Sequence, residues 1–246
     1  TPDSDYAALA SFLTAFHANK PATAAFVDTA RKILDVEGFL RTMAVVNLLG
    51  SWDTYYLNSQ NYFLHLAVDD SSNQPPFATF FLNDLDSLLG VSWPGQKRNW
   101  QDKDLLYRGK EIGKIPLITK LLANDIFRNY YVDFMEWFVA SHFNVDRVRL
   151  LQAPHWSILE QSVYLEANTP FGAPHTRRPW TNDQVYRAAV LSQALTSEQE
   201  PLKGIRVDGI EGFVAARCKK VLAQIAGMTR AGSGVDFDSA NWNLPA

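Results

Sequence analysis

Helical periodicity runs through this chain and breaks once. Before Gly50 and after Pro116, apolar residues recur at spacings of three and four. Between them lie two runs that read differently. Asn61-Tyr-Phe-Leu-His-Leu-Ala-Val68 and Phe77-Ala-Thr-Phe-Phe-Leu82 read as strands, and Asp69 to Pro76 between them is rich in Asp, Ser, Asn and Pro. The pattern predicts one β-hairpin with a long turn and no other strand. A chain with a single hairpin cannot build a layered α/β sheet, so the expected class is mainly α (α+β).

The helices have readable ends. Ser4 or Asp5 caps a first helix carrying Tyr6, Leu9, Phe12, Leu13 and Phe16. Phe26, Ala30, Ile33 and Leu34 mark a second. Asp35 caps a third, with Phe39, Leu40, Met43 and Val46 inside and Gly50 at its end. Pro116 starts a fourth. Asp125 is expected to cap the next, and Asn144 and Pro154 to open two more. A loop from Asn168 to Trp180 follows. Thr181-x-x-Gln184 and Asp208-x-x-Glu211 read as capping boxes. Ser92 to Gly113 reads as a long surface loop, a kind that often carries function. Residues 1–227 form one domain in this reading, and 228–246 an extended tail.

Composition narrows the function classes. Hydrophobic residues make up 47%, enough for a packed core. A net charge of -3 lacks the basic excess of a general nucleic-acid binder. No apolar run reaches the roughly 18 residues of a membrane span. Cys218 is the only cysteine, so there is no intrachain disulfide and no thiol zinc cluster.

Chemistry concentrates at three places. Asp53 sits just past a helix end, in Gly50-Ser-Trp-Asp-Thr-Tyr55, where a carboxylate can act as a general base or merely bond turn amides. Asn61 stands where the first strand begins, and its amide oxygen is a hard ligand suited to Mg²⁺. Asn83-Asp84-Leu85-Asp86 follows the second strand, with two carboxylates able to share a hard cation. Each alone reads as an ordinary turn. Together they give the order acid, Asn, strand, turn, strand, acid, which protein kinases use to face a base and Mg²⁺ ligands onto one cleft. The His-Arg-Asp and Asp-Phe-Gly words are absent. Nucleotide-sugar glycosyltransferases also use Asp-x-Asp after a strand, but with alternating strands and helices that this chain lacks. The five histidines are scattered, with no His-x-x-x-His pair.

The sequence resembles the spore-coat protein H (CotH) kinase family. The resemblance runs over Asp35 to Tyr55, then Asn61-Tyr-Phe-Leu, then Phe80 to Gly90, and more weakly through Pro116-Leu-x-x-Lys-Leu-Leu and Phe127-Arg-x-x-Tyr131 to the helix holding Arg217. Leu82-Asn83 replaces the family's Pro-Trp before the metal acid. The resemblance implies a protein-kinase-like C-lobe, with Asp53 catalytic, Asn61 and Asp84 as nucleotide and metal ligands, and Asp86 as a second acid. It implies Mg²⁺ and ATP as cofactors, and phosphoryl transfer to Ser or Thr of secreted or cell-surface proteins.

The strand-borne lysine of a kinase N-lobe is not in this sequence. The expected partners are therefore an N-lobe chain from a cleaved precursor and a protein substrate or assembly partner. The alternative is a catalytically inactive, pseudokinase-like component of an extracellular assembly.

Overall fold

The computed structural model describes residues 2–55, 59–69, 71–91, 99–106, 115–167, 195–196, 206–207 and 209–239. Three helices open the chain: α1 (Pro2–His17), α2 (Ala24–Ile33) and α3 (Val36–Leu48). α1 begins at Pro2, so Ser4 and Asp5 lie inside it rather than capping it. Proline suits a first helical position, where its missing N–H has no partner to lose. Thr23 caps α2 by accepting from the Phe26 amide at 3.2 Å, and Asp35 caps α3 by accepting from Gly38 at 3.0 Å.

Leu34, expected inside α2, is instead the extended residue that ends it. It bridges Ala78 in parallel, and the next amide, Asp35 N–H, donates to the Ala78 carbonyl at 3.0 Å. The α2–α3 corner is thus pinned to the hairpin.

The hairpin pairs β1 (Tyr62–Ala67) with β2 (Phe77–Leu82), antiparallel, from Tyr62↔Leu82 to Ala67↔Phe77. Asn61 and Val68 fall just outside β1, and Asn61 has φ +56°. Alternation sends Tyr62, Leu64, Leu66, Ala78, Phe80 and Leu82 toward the core and leaves Phe63, Phe77 and Phe81 exposed.

After the hairpin come α4 (Pro116–Leu122), α5 (Asp125–Ser141), α6 (Val145–Ala167) and α7 (Ile210–Ala226). Three expected boundaries are corrected. Asn124, not Asp125, caps α5; its side chain accepts from Ile126 at 3.0 Å and Phe127 at 3.3 Å. Pro154 opens no new helix but lies inside α6. Gly209, without a side-chain cap bond, precedes α7, so Asp208 does not fill the cap position. A second short pair, β3 (Leu195–Thr196) with β4 (Arg206–Val207), also exists, contrary to the expectation of one hairpin. Two-residue strands leave no alternation to read. The Asn168–Trp180 loop and the Thr181–Gln184 capping box lie outside the described residues.

The core is continuous. α3 runs along α5, burying Phe39, Leu40 and Met43. Phe12, Phe16, Phe26 and Phe127 fill the α1–α2 side; burying each such ring contributes roughly 1.5–3 kcal/mol. The tail through Ser239 is non-helical and packs on α5. Phe237 is buried against Tyr130, Phe134 and Trp137, and Arg230 pairs with Asp133. The Ser92–Gly113 stretch is not wholly irregular, since Trp100–Asp102 forms a 3₁₀ turn whose Trp100 is buried. Among the described residues no helix is long and apolar enough to cross a membrane.

Candidate active site

The end of α3 sets the first candidate acid. Gly50 turns the chain with φ +66°, a conformation costly for residues with a Cβ. A Cβ there would also lie 2.8 Å from the Phe213 ring and 3.2 Å from Trp100. The Gly50 and Ser51 amides bond back to Asn47 and Val46. Trp52 then stacks on Trp100, centroids 6.2 Å apart at 14°, and its indole N–H donates to the Val91 carbonyl at 2.9 Å.

On the other side, Tyr55 packs edge-on against Tyr62 at 4.8 Å and Phe80 at 5.4 Å. Its hydroxyl accepts from the Leu117 amide at 3.1 Å. Burial pushes the Tyr55 phenol well above its usual range, so it is a structural anchor and not an acid–base group. Asp53 is therefore presented from a turn fixed at both ends.

Asp53 and Asn61 meet. The Asn61 amide donates to the Asp53 carbonyl at 2.7 Å and to its carboxylate at 3.2 Å, and Gln60 donates to the other carboxylate oxygen. With its NH₂ committed to Asp53, the Asn61 side chain has its amide oxygen as the remaining polar atom, an acceptor only.

The ladder continues one step past the strands, because the Asn83 N–H donates to the Asn61 carbonyl at 2.9 Å. That step places Asp84 next to Asn61's partner. Asp84 takes φ +54°, a left-handed conformation that Asp tolerates better than most residues. Asp84 and Asp86 are both exposed, and Asp86 accepts only from its neighbour Ser87 at 3.1 Å among its described bonds. Among the described residues no cluster of three or more His, Cys, Asp and Glu side chains is gathered around a metal position. The structure thus unites Asp53 with Asn61, ties the residue before Asp84 to the Asn61 backbone, and leaves Asp84 and Asp86 at the surface.

Sequence reasoning missed the groups behind the turn. Arg217 on α7 is fully buried. It donates to the Gln101 and Lys103 carbonyls at 3.0 and 2.7 Å and to the Asn47 side chain. Asn47 in turn donates to the Asp104 and Leu105 carbonyls. The one available signal was an Arg on an otherwise apolar helix face, flanked at helical spacing by Phe213, Val214 and Val221.

A mainly helical frame with an antiparallel hairpin, an acid-bearing turn before it and acids after it, is the arrangement of a kinase-like C-lobe portion. The pattern of the CotH kinase protein family matches residues 2–163, and the chain belongs to that family. No curated protein matches, and no solved structure matches.

Proposed function

We propose that this chain is the C-lobe of a CotH-like protein kinase that moves a phosphoryl group from Mg-ATP to Ser or Thr hydroxyls of secreted or surface proteins. The observation that carries the reading is the junction of Asp53 with Asn61 at the end of the hairpin that delivers Asp84. Asp53, oriented by Asn61 and Gln60, accepts the acceptor hydroxyl's proton; each carboxylate oxygen keeps a lone pair after those bonds. The Asn61 carbonyl oxygen and the Asp84 and Asp86 carboxylates are hard oxygen donors that fit Mg²⁺. Bound there, Mg²⁺ with ATP supplies the transferable phosphoryl and neutralises its charge.

An N-lobe completes the site. Phe63 and Phe81 face each other across the hairpin, 62% and 51% exposed, and Phe77, 40% exposed, lies on the same face beyond the His65–Thr79 pair. Such an apolar sheet face suits coverage by another lobe.

The test is transfer of labelled γ-phosphate from Mg-ATP to a Ser-rich protein by the native protein together with its N-lobe. Asp53→Asn and Asp84→Asn should each abolish it; transfer that survives both overturns the reading. A second reading keeps the same bonds for structure alone, with Asp53 serving to lock its turn through Asn61 and Gln60. It predicts no thermal shift with Mg-ATP.

A further inference from the structure

The segment Asn99–Leu106 lies across the core as a strap, and its backbone is gripped from three helices. Arg217 of α7 bonds the Gln101 and Lys103 carbonyls. Gln224 of α7 bonds the Lys103 carbonyl at 3.2 Å and the Leu105 amide at 3.0 Å. Asn47 of α3 bonds the Asp104 and Leu105 carbonyls, and Tyr131 of α5 donates to Leu105 at 3.0 Å. At the surface, Lys220 of α7 pairs with Asp102 of the strap at 2.7 Å. Nearly all of these bonds go to main-chain atoms, so they fix where the strap runs whatever side chains it carries.

Two side chains of the strap reach back to the Asp53 turn. Trp100 stacks on Trp52, and the Lys103 ammonium donates to the Ser51 carbonyl at 2.8 Å while lying 5.6 Å from the Trp100 ring centroid. The carbonyl is two residues before Asp53, in a position buried from solvent, where a charged donor bonds more strongly than a neutral one. Resting on the proposed kinase reading, we infer that Lys103 is a positioning residue. It transmits the strap's fixed position to the turn and so sets the aim of Asp53.

The test compares wild type with Lys103→Met and Lys103→Arg in the full chain. Amide hydrogen exchange is read over 49–55, over α3 and over α7, together with the midpoint of urea unfolding. Lys103→Met should speed exchange of 49–55 by about tenfold, the worth of one charge-assisted bond. The midpoint should fall by no more than the equivalent of that one bond, amides of α3 and α7 that exchange by local opening should stay close to wild type, and Lys103→Arg should restore the loop. Unchanged exchange at 49–55, or equal acceleration across α3 and α7, overturns the inference.

Where phosphoryl transfer is measurable, Lys103→Met lowers kcat and leaves the KM for ATP near wild type. The two readings separate cleanly. A loop that responds in a protein without transfer sinks the kinase reading and keeps the coupling between strap and turn. Transfer from a loop indifferent to Lys103 does the reverse.

Discussion

Asp53 precedes the first strand of the hairpin and Asp84 follows the second, at the same open end, yet the protein treats them differently. The Asp53 turn is enclosed: Gly50 against Phe213, Trp52 on Trp100, Tyr55 within an aromatic group of Phe39, Tyr62 and Phe80. The Asp84–Asp86 segment is exposed, and one backbone bond from Asn83 ties its start to Asn61. A general base must be aimed before substrate arrives, because misplacement costs rate directly. A cation ligand can be ordered by the cation it binds, so it needs less support from the fold. Under the proposed function, the contrast is a division between preorganised and ligand-organised halves of one site.

The largest effect should come from the enclosed half. Arg217→Met removes the buried guanidinium donor from the Gln101 and Lys103 carbonyls and the Asn47 amide oxygen, with Gln224 still reaching the Lys103 carbonyl. Unsatisfied buried groups cost roughly 1–3 kcal/mol each, partly relieved by local shifts, so the variant should lose about 3 kcal/mol of stability. Urea unfolding measures it. A loss below about 0.5 kcal/mol, the size of an ordinary surface change, would mean that the clamp is incidental and would break the contrast.

The exposed half should be nearly silent. Asp84→Asn keeps the side-chain shape and tolerates the positive φ, at an exposed position. Its unfolding midpoint should stay within about 0.5 kcal/mol of wild type, even as transfer is lost. Destabilisation comparable to that of Arg217→Met would show that Asp84 is part of the scaffold, and the ligand-organised half would have to be abandoned.

The same division explains what could be read from sequence. The hairpin was legible because one buried face imposes alternation, and the Asp53–Asn61–Asp84 order was legible because it is local to that hairpin. The clamp was not: Arg217 lies 170 residues from Asn47 and 114 from Lys103, and its acceptors are mainly carbonyls, which every residue has. Helix boundaries failed for smaller reasons. Asn124 and Asp125 are adjacent residues of equal capping propensity, and backbone placement decided between them. Pro154 stays inside α6 because the carbonyl its ring leaves unbonded, four residues earlier at Leu150, belongs to an exposed residue that water can reach.

The smallest effect gives the finest probe of the enclosed half. Cys218 follows Arg217 on α7, and its thiol donates to the Phe143 carbonyl at 2.8 Å. Burial pushes this thiol from its ordinary 9.0 up to about 11, and the nearby Arg217 charge pulls the other way. Below pH 9 the thiol is protonated in folded and unfolded chains alike and adds no pH dependence. Between 9 and 11 the unfolded chain releases a proton that the folded chain keeps, so stability declines as pH rises through that window. In folded protein at pH 9, iodoacetamide should therefore modify Cys218 much more slowly than in urea, because the thiolate is the reactive form. Equal rates would show that the α7 side of the clamp opens readily. In Arg217→Met two effects compete: loss of the positive charge favours the protonated thiol, while loosening of the clamp exposes it. Faster alkylation in that variant would mean that loosening dominates, and that Arg217 holds α7 closed over the strap.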